Sequence, residues 1–202
     1  MDILVFVPLV LVLGWQFLKV QEQRRRIILL GTHLSRHQVE QHMQRVMQGY
    51  QRALEHDAAA QREAVWRALE PAEQELSEQF SRFAADFARV WGDQALISTL
   101  PLAFPYADRL FPRQTFDARA LMQIHAEGIA AVARNEPGLS LRDKAYTMTA
   151  ELLLMQHSCH WFCRSRAVAD ARVVAHHQTS HAQILAAVTP ATREAYRRLT
   201  GV

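Results

Sequence analysis

The sequence predicts an all-α protein: one amino-terminal apolar helix, read as a single transmembrane segment, followed by a cytoplasmic multi-helix bundle. Three observations carry that reading. Apolar residues recur at spacings of three and four along every periodic segment, and none alternates with the period of two that a strand needs. Glycine and proline, seven of each in 202 residues, punctuate a few boundaries and leave long stretches unbroken. The first twenty residues differ from all the rest, because Ile3 to Leu18 is interrupted only by Pro8, Gly14 and Gln16.

That first element fits a bilayer. At 1.5 Å per residue, Ile3 to Val20 would cover about 27 Å as a helix, close to the hydrocarbon thickness. Trp15 suits the interfacial belt, and Lys19 can extend its ammonium to the headgroups. Arg24, Arg25 and Arg26 follow at once. A cleaved leader would want basic residues before the apolar run and a small-x-small site after it. Here Asp2 precedes the run and Gly-Trp-Gln-Phe-Leu-Lys follows, so the segment is expected to stay attached. Basic residues on the carboxyl side alone place that side in the cytoplasm and the amino terminus outside. Trp15, Lys19 and the three arginines are therefore the expected lipid contacts. Residues 21–34 form a basic and apolar juxtamembrane stretch, and 35–202 suffice for one bundle domain with a real core.

Charge narrows the partners. The net charge is only +3, but from Glu55 to Glu78 seven acidic residues face two basic ones. From His160 onward six arginines stand against Asp170 and Glu194. Such a split suits packing or a protein partner, a second copy included; nucleic acid would want a continuous basic stripe. Arginine outnumbers lysine 21 to 2. No single site explains that bias, which together with the topology points to a bacterial inner membrane. Cys159 and Cys163, four apart on one helix, have Cβ atoms about 6 Å apart, beyond disulfide reach, and are expected as free thiols of a reducing compartment.

The bundle reads as follows. Ser35 with Gln38 resembles a capping box, and Val39, Met43, Val46, Tyr50 and Leu54 then form one stripe. An alanine-rich helix covers 57–69, and Pro71 sits where a first-turn proline restarts a helix. Behind it Leu76, Phe80, Phe83, Phe87 and Val90 make an aromatic core stripe. Residues 92–116 are apolar yet broken by Pro101, Pro105 and Pro112, so they form a connection that packs on the domain or contacts a partner or membrane. Helix resumes from Phe116 to Arg134 and stops at Asn-Glu-Pro-Gly. Ser140 opens the longest element, expected to run to Gln178 because no glycine or proline interrupts it. Thr189-Pro190 caps a last short helix.

One patch suggests chemistry. His157, Cys159, His160 and Cys163 lie within seven residues. On a helical wheel the two cysteines stand about 40° apart, His160 about 60° from Cys163, and His157 on the far side. Four such side chains diverge, so a metal or haem there needs a ligand from another element, for which His125 is the best placed. The plainer reading makes Cys159 and Cys163 small buried hydrophobes. Arg164 and Arg166, beside Trp161, are candidates for an anionic ligand. No phosphate-binding glycine loop, His-Glu-x-x-His, Cys-x-x-Cys or Gly-x-Ser-x-Gly occurs. The sequence thus predicts no catalytic residue and no cofactor. The expected role is non-enzymatic: a membrane-anchored interaction or accessory protein. The alternative is a metal- or haem-binding redox protein using 157–163.

Overall fold

A computed structural model describes residues 3–55 and 59–202, with side chains over 7–54 and 64–202. Nine α-helices account for nearly all regular structure among the described residues: α1 (Ile3–Leu34), α2 (Val39–Glu55), α3 (Ala59–Phe87), α4 (Ala107–Leu110), α5 (Ala118–Ala133), α6 (Leu141–Cys163), α7 (Arg166–His177), α8 (His181–Ala187) and α9 (Pro190–Thr200). The helical bundle is as the periodicity requires. The strand content is two three-residue segments, β1 (Leu96–Ser98) and β2 (Thr115–Asp117), paired antiparallel with Ile97 opposite Phe116.

Helices α3, α5 and α6 form the centre. Phe80, Phe83 and Phe87 of α3 are fully buried, as are Leu121, Met122 and Ile129 of α5 and Met148, Leu152 and Leu154 of α6. Phe87 meets Phe162 edge-on with ring centroids 5.8 Å apart, which locks the end of α3 to the end of α6. Each such side chain contributes roughly 1.5–3 kcal/mol by leaving water. Helix α2 covers one flank, where the Tyr50 hydroxyl donates to Glu73 Oε1 at 2.5 Å. Lys144 of α6 pairs with the other oxygen of the same carboxylate. All three polar groups are buried. This triad ties α2, α3 and α6 together with every charge answered.

Three expectations need correction. Pro71 does not restart a helix: α3 runs through it unbroken. Pro71 is exposed while Leu69, Glu73 and Leu76 around it are buried, so the packed face holds the helix across the lost amide donor. No strand is expected, yet the proline-broken connection carries the β1–β2 pair together with α4 and two short 3₁₀ turns. The long helix from Ser140 does not reach Gln178, because it ends at Cys163 and Arg164 leaves helical geometry at φ −132°, ψ −86°. The break is made by the loop packed against it. The Ala167 amide donates to Pro101 O at 3.0 Å. The Trp161 indole donates to Ser98 O at 2.9 Å. Ser165 then caps α7, its side chain accepting from Val168 N.

Candidate functional site

Two regions stand out, at opposite treatments of polarity. The first is the base of α1. Its carboxyl half is built into the bundle: Gln23 and Leu30 are buried, His33 Nδ1 lies 2.8 Å from Asp86 Oδ2, and Arg26 Nη1 donates to Phe162 O at 3.3 Å. Its amino half is not. Val7, Leu9, Val10, Leu11, Val12, Leu13, Phe17, Leu18 and Val20 are all exposed, Leu11 at 67% and Phe17 at 69%. The apolar side chains face every direction around the helix, so no single face awaits the bundle. Among the described residues no helix is long and apolar enough to cross a membrane.

The proline-punctuated loop docks at the junction of the two halves. Trp15 packs edge-on against Phe104 at 4.4 Å, and Phe104 in turn against Phe111 at 5.4 Å. The Tyr106 amide donates to Glu22 Oε2 at 2.9 Å. Leu102, Leu110 and Phe111 remain exposed there, at 71%, 59% and 39%. Of the basic cluster, Arg24 and Arg25 are exposed, whereas Arg26 pairs with Glu22 at 2.7 Å. Lys19, Arg26 and Arg164 line one small cleft with Leu100, Leu102 and Phe104. Arg164 belongs to this end, since its Nη1 donates to Gln23 Oε1 at 2.8 Å. Arg166 turns the other way, 5.8 Å over the Trp161 ring and 3.9 Å from Asp170 Oδ2. The two arginines therefore do not share a ligand position.

The second region is a histidine cluster made by the break after Cys163. Reversal of the chain brings α7 and α8 back onto α6. His157 Nε2 then lies 2.8 Å from Asp170 Oδ1, and its ring stacks on His181 with centroids 4.3 Å apart. His181 Nε2 lies 3.2 Å from the Tyr196 hydroxyl of α9. Deeper in, Ser158 donates to Leu154 O, so His125 Nε2 donates to Ser158 Oγ at 2.8 Å. The Nδ1 atoms of His125 and His157 are buried and have no hydrogen-bond partner. Burial, reinforced by the neighbouring His157, pushes the His125 pKa down to about 3. Burial and then His181 push that of His157 down to about 4, against the opposing pull of Asp170. His181 is lowered as well, chiefly by burial. All three imidazoles are neutral at pH 7.

The predicted metal set divides between faces. Cys159 and His160 line a groove against Leu34, Val39 and Met43, away from His157. Cys159 Sγ lies 3.8 Å from Met155 Sδ, and His160 stands 3.2 Å from Arg172. Both cysteines are free thiols. Burial raises the Cys159 pKa, and raises that of Cys163 to about 11, so neither is a thiolate at neutral pH. His125 approaches Ser158, not His160. The structure brings together His157 from that set with Asp170 and His181 from outside it. The signal for their meeting was the Ser165 cap and the Ser180–Gln183 capping box, which mark two helix starts inside the span read as one helix and its tail.

Comparison with known proteins gave no match to a family model, to a curated protein or to a solved structure. The functional reading rests on the chain's own geometry.

Proposed function

We propose that this is a membrane-tethered helical accessory protein, held at the cytoplasmic face of a bacterial inner membrane with its amino terminus outside. Its bundle offers a surface to a protein partner or a second copy. The observation that carries the reading is the unclothed half of α1. Ten large apolar side chains from Val7 to Val20 are exposed on all sides of one helix while the other half of the same helix is packed. Water is a poor solvent for such a surface; hydrocarbon is a good one. In sequence the run extends back to Ile3.

Two further features sit at the height the headgroups would occupy. Trp15 and Lys19 mark the interfacial level, and the 102–111 loop presents Leu102, Leu110 and Phe111 there, with Arg24, Arg25, Arg109 and Arg113 exposed nearby in the chain. Basic side chains beside an anionic leaflet each add about 1 kcal/mol of attraction. The same arrangement braces the bundle against the bilayer instead of leaving it on a free stalk.

Alkaline carbonate washing of membranes from cells making the full chain is the test. The chain should remain in the pellet, and a reporter fused after Val202 should be active only where cytoplasmic reporters are. Extraction into the supernatant, or a periplasmic reporter signal, would reject the tether or its orientation. In-membrane crosslinking should then capture a dimer or a defined partner; only isolated monomers would reject the accessory role.

A further inference from the structure

We propose that His157, Asp170 and His181 form a binding site for a divalent transition-metal ion of the zinc class, stapling α6, α7 and α8. One ligand atom from each residue can be chosen so that all three lie within 4.8 Å of one another. In a tetrahedral zinc site with bonds of about 2.0–2.1 Å, ligand atoms stand about 3.3 Å apart. The His157 Nε2 to Asp170 Oδ1 edge, at 2.8 Å, is already that short. The remaining closure falls to Asp170 and His181, both partly exposed.

The chemistry of the three groups matches the ion. Two neutral imidazoles and one carboxylate are the donor set that zinc accepts at a three-ligand site, which keeps a fourth position for water. His157 donates its Nε2 proton to Asp170 in the empty arrangement; on binding, that proton would move to Nδ1 and the neutral ring would offer its Nε2 lone pair to the cation. The imidazoles need no further deprotonation, since both are neutral at pH 7. One outer contact has the usual form, that of His181. His181 is held from behind by the Tyr196 hydroxyl, 3.2 Å from its Nε2, which orients the ring with Nδ1 free.

Two other buried carboxylates take partners inside the core. Glu73 takes Tyr50 and Lys144, and Glu151 accepts from the Thr189 amide at 3.0 Å, capping α9. In the cluster His157 is wholly buried, and its Nδ1, like that of His125, has no partner. Two imidazoles and a carboxylate, gathered from three helices with His157 wholly buried, are the donor types a zinc-class ion takes. The proposal stands apart from the membrane reading and does not use it.

The test uses the full chain, free of any affinity tag and in detergent, titrated with Co²⁺ and with Zn²⁺ alone. One saturable equivalent of Co²⁺ should bind with the visible d–d absorption of a tetrahedral N/O site, be displaced by one equivalent of Zn²⁺, and draw no net proton from the two neutral imidazoles. Asp170→Asn and His181→Ala, at half-exposed positions, should each weaken binding at least tenfold while far-ultraviolet circular dichroism stays unchanged. The doubly substituted His176→Ala/His177→Ala chain, which removes an exposed neighbouring pair, should bind as before. No saturable equivalent, equal binding by His181→Ala, or loss of binding only in the 176/177 chain would each overturn the site.

Discussion

The amino half of α1 and the middle of α6 are almost equally greasy and meet opposite fates. Leu152, Leu153, Leu154 and Met155 are 0–8% exposed, enclosed within the bundle. Leu9 to Leu13 are 49–67% exposed and enclosed by nothing in the bundle. Composition alone therefore does not distinguish a core helix from one that leaves the domain; neighbours do. In α6 the apolar residues share their turns with Lys144, Glu151 and His157, each matched by a partner on another helix. In α1 no polar group of the amino half has such a partner, because Gln16 is the sole polar residue between Ile3 and Leu18.

The sharpest way to break the comparison is to charge each region in turn. Leu11→Arg with Leu13→Arg should cost about 5–7 kcal/mol of membrane insertion and release the chain to the soluble fraction, with thermal unfolding of the bundle unaltered. Carbonate extraction and calorimetry on the same sample would check both halves of that statement. In the covered region, Lys144→Ala strands the Glu73 carboxylate in the core. It should cost about 3–5 kcal/mol of stability by denaturant titration and leave membrane attachment intact.

Acid should act on the covered region only. His125 and His157 are protonated in the unfolded chain below about pH 6.5 but stay neutral in the fold down to about 3 and about 4. Stability is therefore complete above pH 6.5 and falls as pH drops toward 4, by up to about 1.4 kcal/mol per group for each pH unit. Denaturant midpoints at pH 7 and pH 5 would measure it, and His125→Gln should flatten the slope. The mildest probe is Gly128→Ala. Its added Cβ would overlap Thr192 Oγ1 and lie 2.6 Å from Glu151 Oε2, where α5, α6 and α9 meet. A loss of about 1–3 kcal/mol is expected, read as a lower melting temperature without any change at α1.

Much of the fold was legible because its signals are local. The stripe from Leu76 to Phe87 and the caps at Ser140 and Thr189 belong to single helices, and each appears where the spacing puts it. What was hidden depends on partners far along the chain. Within 150–178 the one local sign of a break is the Ser165 cap; the contacts that hold the break come from Pro101 and Ser98, over sixty residues away, on the Ala167 amide and the Trp161 indole. Missing that break hid the histidine cluster, since His157 and His181 meet only when α7 and α8 fold back. The continuous α3 shows the converse: a proline that reads as a boundary is overridden when the buried face carries on past it. The half-naked α1 was readable from its first residues, because an apolar run with no polar face has no local alternative.

The account depends most on what surrounds the amino half of α1. Cysteines placed singly from Leu9 to Leu18 in the full chain, then treated in intact membranes with a water-soluble maleimide, would report it position by position. Uniform protection at every site, relieved by detergent, is the predicted result. Free labelling throughout, or protection recurring every three to four residues, would contradict it, the latter because a protein partner shields one face and a bilayer shields all.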